Sequence, residues 1–156
     1  MAKAEKGAAI TRLQSAARLS RTALAARLLD HGFYAGQDQI MLALAHEDGQ
    51  TPGQLATRLG VRPPTVTKTI NRLQAQAFLE KRASENDARQ SHIFLTDAGR
   101  DAIRSIEKSV RKTEKQALKG LDKKEQKALA KLLARIEVNL AGNSHAEQPD
   151  DTDDED

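Results

Sequence analysis

The stretch "TPGQLATRLGVRPPTVTKTINRLQAQA", which starts at Thr51, restricts the fold more than any other part of the chain. It contains two short helical patterns separated by a few residues. Thr51 is a favourable N-cap and Pro52 suits the first helical turn, whereas Gly60 suits the end of a helix. A residue before proline avoids the helical region, so "VRP" is expected to be a turn and the second helix to cover residues 64–77.

Both helices have one apolar face. In the first helix this face consists of Leu55, Ala56 and Leu59, and in the second of Val66, Ile70, Leu73 and Ala77. The opposite face of the second helix carries hydroxyl and basic side chains. Two helices joined in this way form a helix-turn-helix, in which the second helix enters the major groove of DNA.

Two strand-like runs follow, "FLEKRA" (78–83) and "HIFLT" (92–96), with turn-forming residues between them. A hairpin at this place makes the motif a winged helix-turn-helix. Arg89, near the tip of the wing (84–92), is expected to enter the narrow minor groove, and Asp87 to pair with its guanidinium group. The alternative for this pair is an ion pair that only stabilises the turn.

The candidate DNA-binding side chains are mainly hydrogen-bond donors suited to base edges and phosphates. They are Arg62, Pro64, Thr65, Thr67, Lys68, Thr69, Arg72, Lys81, Arg82, Asp87 and Arg89. Among them, Arg72 and the two cations at the base of the hairpin are expected to meet phosphates. The alternative for the helical residues is an ordinary solvated face.

The remaining patterns are helical, so the predicted fold class is mainly α with a small β-hairpin. A long helix is expected over residues 8–30, another over Gln37–His46, a third after the cap residue Thr96 and a last one after a capping box at Asp122. The predicted apolar stripes are Ile10, Leu13, Ala17, Leu24 and Leu28 in the first helix, Ile103, Ile106, Val110 and Ala117 in the third, and Leu129, Leu132, Leu133, Ile136 and Leu140 in the last. With only three Phe and one Tyr, the core of one chain is lean, and a second subunit could add to it.

Charge is unevenly distributed along the chain. Residues 143–156 contain seven acids and no Lys or Arg, which leaves 25 bases against 15 acids, a net charge of +10, for residues 1–142. Such a basic region favours a polyanionic partner. The acidic tail is expected to be disordered, and it either increases solubility or competes with DNA for the basic face.

The run "LATRLGVRPPTVTKTINRLQAQAFLEKRASENDARQSHIFLTDAG" resembles the core of the MarR family of bacterial transcription regulators. The family's DxR motif matches Asp87 and Arg89, and its LTxxG motif matches Leu95, Thr96 and Gly99. The resemblance covers roughly residues 36–140. Gln90 replaces a small hydroxyl residue found in many members, and the acidic tail is not a family feature.

The resemblance implies a homodimer whose two recognition helices read the half-sites of an inverted repeat in double-stranded DNA. The implied organisation is an N-terminal dimerisation helix (1–34), a DNA-binding domain (35–98), C-terminal dimerisation helices (99–142) and the tail (143–156). It also implies a repressor that is released by a small aromatic or phenolic effector. The candidate cleft residues are Arg18, Thr22, Phe33, Asp38 and Met41, each of which could equally be core or surface.

Other classes are less compatible with the sequence. The four histidines are scattered and cysteine is absent, so no metal site, cofactor or thiol switch is expected. No phosphate loop, nucleophile elbow or membrane-spanning run is found, and we expect a cytoplasmic protein that is not an enzyme. Two alternatives remain: a chromatin-like protein that binds DNA without sequence preference, and a winged helix that binds a protein partner.

Overall fold

The computed structural model describes residues 6–87 and 89–142. Its elements are α1 (Ala8–Leu29), α2 (Gln37–His46), α3 (Pro52–Leu59), α4 (Pro63–Ala75), β1 (Leu79–Ala83), β2 (Ser91–Leu95), α5 (Asp97–Ala117) and α6 (Lys123–Gly142). This architecture confirms the predicted mainly α fold with a small hairpin. The predictions for the acidic tail, residues 143–156, lie outside the described residues.

The chain forms two compact units, and the first ends at Ala117. Its buried apolar core draws on every helix and both strands of that unit: Leu28, Phe33, Ile40, Met41, Ala43, Leu44, Leu55, Ala56, Val66, Ile70, Leu73, Leu79, Ile93, Leu95 and Ile106. The long helices α1 and α5 therefore share a core with the winged elements. The functional division into residues 1–34, 35–98 and 99–142 stays a prediction.

The second unit begins at Leu118 and contains α6. The predicted capping box is confirmed, because the Asp122 amide donates to Glu125 Oε1 (3.1 Å) and the Glu125 amide donates to Asp122 Oδ1 (2.8 Å). Within the described chain α6 has no buried residue. Leu132 is 54% exposed and Leu140 is 63% exposed, so the apolar stripe of α6 faces solvent in a single chain.

The predicted apolar faces of α1 and α5 are buried only in part within a single chain. Of the five apolar positions predicted in α1, only Leu28 is buried, and Ile10 is half-exposed. In α5, Ile106 is buried as predicted, but Ala117 is exposed at the end of the helix. The buried line of α5 continues through polar residues instead, and Thr113 accepts a hydrogen bond from Arg27 Nη1 of α1 at 2.9 Å.

The ends of α4 differ from the prediction. The helix begins at Pro63, which takes the first helical position although it also precedes a proline. Arg62 is extended (φ −61°, ψ 136°), as a residue before proline prefers, and serves as the N-cap. The helix ends at Ala75, two residues earlier than predicted. Ala77 is exposed and has a left-handed backbone with φ +65°, and the amide of Phe78 donates to Leu73 O at 3.0 Å.

The left-handed conformation of Ala77 leads to a stability prediction. An L-residue with a Cβ pays a steric cost there that glycine does not. Ala77→Gly is therefore expected to raise the free energy of unfolding by about 0.5–1 kcal/mol. Glycine removes the steric cost in the folded protein, but it also gives the unfolded chain more conformational entropy, which offsets part of the gain. Urea unfolding at one protein concentration measures the change, and a destabilised variant would contradict this reading of the helix end.

The hairpin is antiparallel, with Leu79 paired to Leu95 and Ala83 paired to Ser91. β1 begins one residue later than the predicted run and ends where it does, and β2 begins and ends one residue earlier, because Phe78 and Thr96 close the ends of neighbouring helices. An isolated bridge between Gln50 and Ile93 ties the hairpin to the loop between α2 and α3. The wing is therefore anchored on two sides of its second strand.

Candidate nucleic-acid interface

The α3–turn–α4 unit is built by local interactions that the sequence encodes. The amide of Gln54 donates to Thr51 Oγ1 (3.1 Å), and the amide of Thr51 donates to Gln54 Oε1 (2.9 Å), which completes a capping box. Gly60 ends α3 with a left-handed backbone, φ 63°. These caps confirm the predicted ends of α3.

The helix α4 has one buried and one exposed face. Val66, Ile70 and Leu73 are buried, which confirms the predicted inner face apart from Ala77. The exposed candidates are Arg62, Pro64, Thr65, Thr67, Lys68 and Arg72. Thr69 is half-buried, and its hydroxyl donates to Thr65 O within the helix (2.9 Å). Thr69 is thus the least available of the predicted helical contacts.

A shallow concave surface of about 740 Å³ follows the exposed face of α4. Its lining residues are Pro63, Pro64, Thr67, Lys68, Asn71, Arg72 and Ala75. Asn71 is not among the residues that the sequence predicts to contact DNA. Its position three residues after Lys68, on the same helical face, was the signal that could have identified it.

The tip of the wing is held by Asp87, but not in the predicted way. Asp87 Oδ1 accepts a hydrogen bond from the backbone amide of Arg89 (2.9 Å), and Asp87 O accepts one from the amide of Gln90 (3.0 Å). A carboxylate bonded to a backbone amide two residues later forms an Asx turn. Asp87 therefore sets the backbone that carries Arg89, and the expected pairing with the guanidinium group is wrong among the described contacts. Arg89 itself is exposed.

The two cations at the base of the wing have different surroundings. Lys81 Nζ donates to Asn71 Oδ1 of α4 at 2.8 Å. Arg82 pairs with Glu80 and lies over the ring of Phe94, 4.2 Å from its centroid. Both side chains are exposed, but Arg82 and its partners Glu80 and Phe94 lie on the opposite face of the hairpin from Lys81.

The net charge of +10 is not concentrated on the winged elements. Residues 37–96 contain seven Lys and Arg against six Asp and Glu, and most of the excess lies before and after them. The face of α4 is donor-rich because of where its few cations lie. The placement of these side chains therefore indicates DNA binding more strongly than the bulk charge does.

The five candidate cleft residues are not brought together on one surface. Phe33 and Met41 are wholly buried in the core, whereas Arg18 and Thr22 are exposed on α1. Asp38 is buried in the first turn of α2. Burial raises the pKa of its carboxyl above the ordinary value of 3.8, and hydrogen bonds from the amides of Asp38 and Gln39 oppose this shift only in part.

The raised pKa of Asp38 gives a pH-dependent prediction. The folded protein binds more protons than the unfolded chain between 3.8 and the raised pKa, so this carboxyl lowers stability as pH rises through that window. Asp38→Asn is expected to increase the free energy of unfolding at neutral pH and to flatten its pH dependence just above 3.8. Chemical unfolding at several pH values tests this, and an unchanged profile would contradict it.

Other kinds of site find little support. Among residues 6–87 and 89–142, no group of three or more His, Asp or Glu side chains is placed to hold a metal ion. No helix in the part of the chain that the structure describes is long and apolar enough to cross a membrane.

The fold and the exposed face of α4 define a winged helix-turn-helix, and comparisons with known proteins agree. The model of the MarR family matches residues 37–90. The crystal structure of the transcriptional regulator PA3341 is 32% identical to this chain, covers 85% of this chain and 97% of its own, and superposes with a TM-score of 0.74.

Two more distant structures share the fold at 20% identity and a TM-score of 0.75. A MarR mutant from E. coli, complexed with operator DNA, covers 81% of this chain and 91% of its own. BpsR from Bordetella bronchiseptica, whose DNA binding is regulated by 6-hydroxynicotinic acid, covers 81% of this chain and 96% of its own. The chain belongs to the MarR family of transcriptional regulators, and its fold is theirs rather than that of an enzyme.

Proposed function

We propose that this protein is a homodimeric repressor that binds an inverted-repeat operator through α4 and the wing. The observation that carries the proposal is the division of α4 into a buried apolar face and an exposed face with Thr65, Lys68 and Arg72. Thr65 and Lys68, in the first two turns, can donate to acceptor atoms in the major groove, whereas Arg72, in the third turn, is placed to meet phosphate. The wing adds Arg89 at its exposed tip, where a minor groove would lie.

The proposal is tested by fluorescence anisotropy. The purified protein is titrated against the DNA just upstream of its own gene and against a shuffled copy, at two salt concentrations. A preference on the order of a thousandfold for the native fragment is expected. Equal and steeply salt-dependent binding to both fragments would instead favour a chromatin-like protein, and no binding at moderate salt would favour a protein partner.

The proposed dimer is supported by the apolar stripe of α6, of which one chain leaves Leu129, Leu132 and Leu140 exposed. A helix stripe of this kind is normally buried against another chain. Sedimentation at micromolar concentration is expected to show a dimer. Leu132→Glu should shift it toward monomer, whereas Lys127→Glu, at an exposed polar position of the same helix, should not. If the wild type is a monomer, the proposed binding of one dimer to two half-sites is wrong.

We also propose that a small aromatic or phenolic effector releases the DNA, binding where Arg18, Thr22, Phe33, Asp38 and Met41 contribute. The regulation of BpsR by 6-hydroxynicotinic acid supports this class of ligand. Because Phe33 and Met41 are buried, the cleft would have to open on binding. Hydroxylated aromatic acids should raise the melting temperature of the protein and lower its affinity for the operator. Arg18→Ala should weaken both effects, and an effector that acts equally on this variant would contradict the assignment.

A further inference from the structure

The side chain of Asn71 lies on the exposed face of α4 and is bonded from outside its helix. Lys81 Nζ of β1 donates to Asn71 Oδ1 at 2.8 Å. Side chains alternate along a strand, so Lys81 shares a face with the buried Leu79, while Arg82 lies on the other face beside Phe94. Lys81 is thus the β1 cation that bonds to the recognition helix.

This hydrogen bond decides what Asn71 can still offer. An ammonium group has donors and no acceptor, so the atom that faces Lys81 must be the amide oxygen. The atoms left free are the two N–H groups of Asn71 Nδ2 and the remaining N–H groups of Lys81. No Asp or Glu occurs between Pro63 and Ala75, and Lys68 and Arg72 of the same face are also donors. The surface around Asn71 therefore presents donors.

A free asparagine reads adenine by accepting from N6 and donating to N7. In this chain one of the two lone pairs of Asn71 Oδ1 is bonded to Lys81, and the ammonium charge beside this oxygen disfavours the approach of a further donor such as the amino group of adenine. We propose that Asn71 and Lys81 form a donor pair, which favours bases that present acceptors in the major groove, above all guanine O6 and N7, over adenine. Asn71 is then a specificity-determining residue and Lys81 a positioning residue. This inference rests on the proposed function, namely that α4 binds DNA.

The test is selection from a random duplex library, followed by affinity measurements on the motif that the wild type selects. Asn71→Asp has nearly the same shape and keeps an acceptor for Lys81, but it removes both N–H groups. It is expected to bind that motif on the order of tenfold more weakly. Gln74→Glu, the same amide-to-acid change at an exposed position of α4, controls for added negative charge and should lose much less.

Lys81→Met separates a role in reading DNA from a merely structural one. This variant keeps the aliphatic stem and frees Asn71 Oδ1, so adenine should become acceptable where the wild type selects guanine or thymine. A Lys81 that only supports the fold would change affinity without changing base preference. If both variants lower affinity for every sequence alike and change the salt dependence, these side chains bind phosphates rather than bases, and the assignment of specificity to Asn71 is overturned.

The outcomes distinguish the two proposals. If the wild type enriches a motif, and Asn71→Asp binds it no more weakly than Gln74→Glu does, the donor pair is overturned while the DNA-binding function stands. If the wild type enriches no motif, the proposed function fails and this inference fails with it. A selective loss for Asn71→Asp, with a melting temperature close to that of the wild type, supports the pair.

Discussion

Replacing Gly99 with alanine is expected to lower the free energy of unfolding by about 2–3 kcal/mol. Gly99 is buried in the first turn of α5, and a Cβ there would lie 2.2 Å from the carbonyl oxygen of Phe78. The obstacle is backbone, so it cannot rotate away as a side chain would. That carbonyl also accepts the amide of Thr96 at 3.1 Å, which joins the end of the wing to the end of α4. The clash with an added Cβ would therefore strain the junction between the end of the wing and the end of α4.

Gly53→Ala is the matched control for this prediction. Gly53 lies in the first turn of α3, is exposed, and its nearest neighbour would be 3.9 Å from an added Cβ. Alanine should stabilise this helix by up to about 1 kcal/mol. Urea unfolding at one fixed protein concentration compares both variants with the wild type, since a dimer's stability depends on concentration. A Gly99→Ala protein as stable as the wild type would show that the contact with Phe78 relaxes easily.

Replacing Arg89 with alanine is expected to cost about 1–3 kcal/mol of operator affinity. Arg89 is exposed at the wing tip, and its backbone amide is fixed by Asp87 Oδ1 at 2.9 Å. A guanidinium group delivered by a fixed turn suits a narrow minor groove, whose potential is most negative in A·T-rich DNA. The loss should therefore be larger for operators with A·T flanks than for those with G·C flanks, measured by anisotropy at constant salt.

Two other arginine variants define the expected pattern. Arg72→Ala, on the exposed face of α4, should lower the affinity for all sequences alike. It should also reduce the slope of log affinity against log salt concentration by about one. Arg104→Ala, at an exposed position of α5, should leave operator binding nearly unchanged. If Arg89→Ala behaves like Arg104→Ala, the minor-groove role of the wing is wrong. If it behaves like Arg72→Ala, the wing binds phosphates instead.

Predictions that depended on local chemistry were confirmed most closely. Caps at Thr51 and Asp122 and the stop at Gly60 need only neighbours in sequence, and the structure has them where the pattern indicates. The predicted continuation of α4 to Ala77 was wrong, because an alanine gives no local signal for a left-handed backbone. Tertiary hydrogen bonds beside it, from Thr96 to the carbonyls of Ala77 and Phe78, accompany that conformation.

The sequence by itself determined the order of the elements, the two faces of α4 and the family, because periodicity and caps act within one or two helical turns. The tertiary structure alone decided that Lys81 bonds to the oxygen of Asn71, and that a Cβ at position 99 would meet the carbonyl of Phe78. Both cases join residues that are ten or more positions apart, whereas the bond from Asp87 to the amide of Arg89 is a local turn. Spacing in a sequence cannot select between such partners, whereas packing places their atoms within hydrogen-bond distance.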